Sequence, residues 1–271
     1  MRDKLRVIFI GDIVGKGGRR IVKELVPSLK SRYEPDLVIA NGENAANGKG
    51  LTPKITKELL NSGIDIMTSG NHIWNKPEIF DYLNETKVLI RPNNYPEGVP
   101  GKGFTTIEID DYGKVGIVNT QGRVFMQSID CPFRKTEDEL STLKDCNAII
   151  VDFHGEATSE KKTFARYFSG RVSAVLGTHT HVQTTDCDIL NGTAYISDVG
   201  MTGAFNSIIG MKYETVIDRF LKAIPTRFEV ADEDLRMDFV MLDITDGHTE
   251  KITVFEYDIM GNKVVEISKG A

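Results

Sequence analysis

Five short polar clusters each sit directly behind a strand-like apolar run, and this recurrence leaves the chain very few architectures. Ile8-Phe9-Ile10 precedes Gly11-Asp12, Leu37-Val38-Ile39-Ala40 precedes Asn41-Gly42-Glu43-Asn44, and Ile64-Asp65-Ile66-Met67 precedes Gly70-Asn71-His72. Ile149-Ile150-Val151-Asp152-Phe153 runs into His154, and Val172-Ser173-Ala174-Val175-Leu176 runs into Gly177-Thr178-His179-Thr180-His181. In open α/β sheets the loops at the carboxyl ends of the strands line one edge, so groups far apart in sequence meet there. Strands alternate with helical patterns through much of the chain, which also predicts an α/β layered fold.

Helix signals are clear in places. Thr52-Pro53, followed by Ile55, Leu59 and Leu60 and closed by Gly63, has an N-cap, a proline at the first helical position and a terminal glycine. A second helix is expected from about Ser159, with Phe164, Tyr167 and Phe168 on one side and a stop at Gly170. Pro27 falls inside the pattern Ile21, Val22, Leu25, Leu29 and predicts that this helix is kinked or split. Thr105–Ile109 and Val115–Val118 flank the turn residues 110–114 as a hairpin, and Phe239–Ile244 with Lys251–Tyr257 repeats that arrangement around Asp246-Gly247. Strand pairs after βα units predict a mixed sheet, or two sheets packed together, flanked by helices. With no linker or repeat visible, residues 1–271 read as one domain, with a small cap near residues 120–145.

A net charge of −6, from 33 basic and 39 acidic residues, argues against broad electrostatic binding to DNA, but not against a small phosphate ester. The start Met1-Arg2-Asp3-Lys4-Leu5 leads into a short strand without a long apolar stretch, so neither a signal peptide nor a membrane span is expected. Cys131, Cys146 and Cys187 are odd in number, widely spaced and free of any Cys-x-x-Cys pair, as reduced structural thiols in a cytoplasmic protein would be. The glycine-rich run from Gly11 to Gly18 fits no nucleotide loop. Only three residues separate Gly11 from Gly15, Gly17 follows Lys16 where a P-loop needs Ser or Thr, and Arg20 stands where a dinucleotide fingerprint needs its third glycine.

Imidazoles, carboxylates and an Asn carbonyl together suit iron, manganese or zinc, and the lack of Cys ligands argues against a purely structural zinc site. The donors are numerous enough for two metals. Glu43 is of the type that bridges a pair, and two nearby metals generate hydroxide at neutral pH and clamp the oxygens of a displacement at phosphorus. His72, beside Asn71, is placed to protonate a departing alkoxide as general acid. Trp74 reads as packing rather than as a base-stacking group.

Gly70-Asn71-His72, Phe153-His154 and Gly177-Thr178-His179-Thr180-His181 resemble the motifs of the calcineurin-like metallophosphoesterases. With Gly11-Asp12-Ile13-Val14-Gly15, Asn41-Gly42-Glu43-Asn44-Ala45, Asp152-Phe153-His154-Gly155-Glu156 and Asp198-Val199-Gly200-Met201-Thr202-Gly203, the chain looks like the bacterial YmdB-type branch from about residue 4 to residue 260. The resemblance implies a four-layer α/β/β/α sandwich with a dinuclear site and phosphodiesterase activity on 2′,3′-cyclic nucleotides. It implies that Asp12, Glu43, Asn44 and His181 hold one metal. Glu43 would bridge to a second metal held by Asn71, His154 and His179, with His72 the proton donor.

The chain departs from the wider pattern of the superfamily. Asp12-Ile13-Val14 replaces the usual Asp-x-His, Glu43 the usual Asp bridge, and Ile73 the acidic partner that many relatives give the catalytic His. Oxygen in place of one imidazole favours iron or manganese over zinc. A phosphomonoesterase or RNA-end phosphatase is the alternative within the class. A regulatory protein that binds metal and nucleotide with little turnover is the alternative outside it. A homo-oligomer is compatible with either.

Overall fold

The computed structural model describes residues 4–271, so Met1-Arg2-Asp3 of the N-terminal reading lies outside the described residues. Strands β1 (Lys4–Ile10) and β2 (Asp12–Ile13) lead into helix α1 (Gly15–Tyr33), then β3 (Leu37–Asn41), α2 (Pro53–Asn61), β4 (Ile66–Thr68) and α3 (Ile79–Glu85). The middle of the chain runs β5 (Phe104–Ile109), β6 (Gly113–Gln121), α4 (Pro132–Thr142), β7 (Ala148–His154), α5 (Thr158–Phe168) and β8 (Ala174–Thr178). After it come β9 (Asp188–Leu190), β10 (Thr193–Ile196), β11 (Met201–Ala204), α6 (Tyr213–Lys222), β12 (Leu235–Thr245), β13 (His248–Asp258) and β14 (Lys263–Gly270).

Two mixed sheets result. The eight-stranded sheet runs β14-β13-β12-β1-β3-β4, with β11 pairing both β12 and β2, and the six-stranded sheet runs β5-β6-β7-β8-β10-β9. β1, β3 and β4 are mutually parallel in the first, and β6, β7, β8 and β10 in the second. Side chains alternate faces along a strand, and the apolar residues sort accordingly. Leu5, Val7 and Phe9 of β1 meet Ile117 of β6, Ile150 of β7 and Leu176 of β8 in a core between the sheets. Ile8 and Ile10 turn outward to Ile21, Val22 and Leu25 of α1, while Val151 and Phe153 pack outward on Phe164 and Phe168 of α5. Helix, sheet, sheet, helix is the four-layer α/β/β/α sandwich that the motifs imply.

The expected α2 forms, with Thr52 Oγ1 accepting from the Ile55 N–H at 3.2 Å, and both expected hairpins pair antiparallel. Three details differ from the sequence reading. Helix α1 runs unbroken through Pro27. Pro27 and Lys23, whose carbonyl the proline leaves without its N–H, both lie on the solvent face, where the abandoned carbonyl is open to water. Tyr167 is not on the buried side of α5 but 53% exposed, set edge-on against Phe133. A further strand, β14, adds to β13. Trp74 packs edge-on against Phe80 and Tyr95. The three cysteines are free thiols, and among the described residues no helix is long and apolar enough to cross a membrane.

Candidate metal centre

The parallel strands of both sheets end at one edge, and the polar clusters meet there. β1 and β2 deliver Asp12, β3 delivers Glu43 and Asn44, and β4 delivers Asn71 and His72; from the other sheet, β7 ends in His154 and β8 leads to His179 and His181. Asp12, Glu43, Asn44 and His154 are buried.

Glu43 stands at the middle. Its Oε1 lies 3.3 Å from His154 Nε2 and accepts from Asn44 Nδ2 at 3.0 Å, while Oε2 accepts the His72 backbone N–H at 3.0 Å. His154 Nε2 also lies 3.1 Å from Asn71 Oδ1 and 3.1 Å from His179 Nδ1. Ligand atoms of Glu43, His154 and His179 all fall within 4.8 Å of one another. On the other flank, His181 Nε2 lies 3.8 Å from Asp12 Oδ1 and 3.1 Å from Asn44 Nδ2. The eight side chains named at this edge are the seven expected ligands and His72, and the fold brings all of them together.

Close approach sets local requirements. Gly70 has to be glycine, because a Cβ there would overlap the His154 ring and the Glu43 carboxylate. His179 and His181 both have positive φ, 101° and 63°, a region that non-glycine residues occupy only when their surroundings enforce it. Here the enforcement is an ion pair buried beneath the loop. Lys161 of α5 donates to the Thr178 carbonyl and to Asp198 Oδ2, both at 2.8 Å, and the same Oδ2 accepts the Thr180 N–H at 2.9 Å. Asp12 Oδ2 adds a bond from the His179 N–H at 3.1 Å.

His154 is braced from behind. Thr178 Oγ1 sits 2.9 Å from His154 Nδ1 and donates to Asp152 Oδ1 at 2.6 Å, and Asn41 Nδ2 donates to Asp152 Oδ2 at 3.0 Å. Such outer partners fix tautomer and ring orientation, leaving Nε2 as the ligating atom. His72, whose usual acidic partner is replaced by Ile73, is oriented instead by Asn75: Nδ1 lies 3.1 Å from Asn75 Oδ1 across one turn of 3₁₀ helix.

The electrostatics call for positive charge. Burial pushes the Asp12 carboxyl up, against the pull of His181 and His154, to about 7. Burial also disfavours the Glu43 carboxylate, but His154 and the His72 N–H more than offset it and hold the group well below the usual carboxylate range. Burial disfavours a charged His154, yet Glu43, Asp12 and Asp152 outweigh it and raise the imidazole to about 9. A second proton is not tolerated: burial, reinforced by His154, drives His179 down to about 3, so the ring is neutral where its Nε2 lies 3.1 Å from Glu156 Oε2.

A divalent cation fits this donor set. It would supply the charge that the His154 proton now supplies. Asp12 Oδ1 and Asn44 Oδ1 are buried without a hydrogen-bond partner among the described residues, a costly state that a cation relieves.

Sequence reasoning missed Lys161 and Asn75. The Lys161-Lys162 pair reads as a solvated helix face, and only the fold turns Lys161 inward to 2% exposure. Asn75 was within reach, because His-x-x-Asn is the spacing that one helical turn closes.

A four-layer sandwich with an imidazole and carboxylate cluster at the carboxyl edge of both sheets defines the metallophosphoesterase class. The family model described as YmdB-like protein matches residues 8–255, and the chain belongs to that family. It is 50% identical over 255 residues to a Bacillus subtilis 2′,3′-cyclic-nucleotide 2′-phosphodiesterase, covering 93% of this chain and 96% of that protein. The crystal structure of a hypothetical protein from Thermus thermophilus superposes with a TM-score of 0.89 at 43% identity, covering 94% of this chain and 99% of that one. The crystal structure of a novel phosphatase from Mycoplasma pneumoniae gives 0.85 at 34%, covering 100% and 94%.

Proposed function

We propose that the chain is a metal-dependent phosphoric diester hydrolase that opens 2′,3′-cyclic nucleotides. The observation that carries this is the convergence of two carboxylates, two Asn side chains and three imidazoles at one edge, with two buried oxygens, Asp12 Oδ1 and Asn44 Oδ1, lacking a hydrogen-bond partner among the described residues. The 50% identity to a protein named for this activity supports the substrate class.

In this reading Asp12, Glu43, Asn44 and His181 hold one divalent cation, and Glu43, Asn71, His154 and His179 the other. The oxygen-rich first set favours iron or manganese over zinc. When bound, the pair supplies hydroxide at neutral pH and neutralises charge developing on the phosphate. The chain's own residues do the rest. Thr178 and Asp152 keep His154 in register, and Lys161 with Asp198 keeps the His179–His181 loop in its strained shape. Asn75 accepts from His72 Nδ1, so Nε2 is the nitrogen that carries and delivers a proton. Burial lowers the affinity of His72 for that proton, which makes its protonated form the stronger acid toward a departing ribose oxygen. The bond from phosphorus to the 2′ oxygen breaks as the bond to hydroxide forms, and the leaving oxygen takes the His72 proton.

Ligands come from both sheets, so neither sheet alone is a functional unit and the chain acts as one domain. Three free thiols fit an enzyme of the cytoplasm. The test is hydrolysis of 2′,3′-cyclic AMP by protein loaded with Mn or Fe, beside bis-aryl phosphodiesters and phosphomonoesters. Wild type is expected to prefer the cyclic diester, and His72→Ala to lose about 10²–10⁴-fold in kcat with its metals retained. Absence of cyclic-diester turnover across neutral pH overturns the reading, and faster cleavage of monoesters replaces it with a phosphomonoesterase.

A further inference from the structure

The metal ligands form only one end of a cleft of about 550 Å³, within the size range of sites that enclose small ligands. A further wall comes from residues between 208 and 228, whose side chains take no part in the chemistry above. Ile209, Met211, Val216, Phe220 and Phe228 give that wall an apolar face. Val216 is buried, and Phe220 is 81% exposed on α6.

Two observations tie this wall to the metal end, and a third shapes the wall itself. The Ile209 carbonyl lies 2.9 Å from His181 Nδ1 and accepts its proton, so the wall orients an expected metal ligand. Ile209 does this at φ 47°, a conformation that a β-branched residue adopts only when its surroundings enforce it and that clusters at ligand clamps. Arg219, itself exposed, lies over the Phe228 ring at 5.2 Å, which places a planar cation beside the apolar face.

We infer that this wall is the nucleobase subsite, with Phe220 as the ring on which the base stacks. The inference rests on the cyclic-nucleotide reading. A substrate whose phosphate is fixed at the Glu43 end extends its nucleoside along the cleft, and the surface there is apolar and aromatic with few hydrogen-bonding groups. Stacking on an aromatic ring tolerates any base, because every base has a π face. The subsite is therefore expected to distinguish a nucleotide from a base-free sugar phosphate much more strongly than one base from another.

The experiment compares 2′,3′-cyclic AMP with the cyclic phosphate of methyl riboside, which lacks the base, on metal-loaded wild type, Phe220→Ala and Leu221→Ala. Leu221 is the neighbouring exposed residue, at 80%, and does not line the cleft. Wild type is expected to show a KM about tenfold or more lower for the nucleotide. Phe220→Ala should bring the two KM values together with kcat changed by less than about twofold, while Leu221→Ala behaves as wild type. Equal KM values in wild type, equal losses on both substrates in Phe220→Ala, or the same effect from Leu221→Ala would overturn the subsite. A changed sedimentation coefficient in Phe220→Ala with both KM values intact would overturn it in favour of contact with a second copy. Complete lack of turnover in wild type is a different failure: it removes the cyclic-nucleotide reading, and the subsite falls with it.

Discussion

On the β7–β8 side of the site both ring nitrogens of His154 and of His179 have partners, and behind His154 stands the chain Thr178, Asp152, Asn41. On the β1–β3 side, Asp12 and Asn44 each keep one buried oxygen without a hydrogen-bond partner among the described residues. The two sides use the same kinds of donor and differ in who satisfies them. The protein holds the His154 side in shape by itself, whereas on the proposed reading the Asp12 side would be completed by a cation. A preorganised half and an ion-dependent half should therefore respond differently to loading and to mutation.

Glu43 belongs to both halves, so its loss breaks the comparison altogether. Glu43→Gln is expected to lower kcat/KM for a cyclic nucleotide by about a thousandfold, several kcal/mol of transition-state stabilisation, with metal content falling in parallel. The ion-dependent half comes next. A cation that binds only the folded state at a thousandfold excess over its Kd adds about 4 kcal/mol, roughly 10 °C in Tm for a chain of this length. Asp12→Asn should lose at least half of the Tm rise on adding Mn to chelated protein, and an undiminished rise would show that the Asp12 side holds no ion. The preorganised half should yield the smallest effect. Thr178→Val cuts the link from His154 to Asp152 and is expected to cost about 10–100-fold in metal affinity or activity, read by competition with a chromogenic chelator. A loss below about twofold would mean that His154 needs no brace.

Much of this was legible before any coordinates. Asp12, Glu43, Asn71, His154 and His179 each follow an apolar run, and strand-end position is a property that local sequence carries. Lys161 was not legible, because its partners Thr178 and Asp198 lie 17 and 37 residues away and nothing local marks a helix lysine as buried. The wall from Ile209 to Phe228 escaped for the opposite reason: its exposed apolar residues look like scattered surface positions until the cleft places them opposite His181. Pro27 shows where a local rule over-reaches. The cost of a missing N–H depends on whether water can reach the abandoned carbonyl, and on α1 it can.

The expected ligands come from the ends of β1, β3 and β4 in one sheet and β7 and β8 in the other, so ions bound there would work mechanically as a rivet through two plates. Its rigidity is that of the seam rather than of any one loop. What it resists is shear, the sliding of one sheet over the other across the Val7, Ile117 and Leu176 layer. Bound ions would then slow amide exchange at the carboxyl ends of both sheets together, and their escape would be timed by that slide.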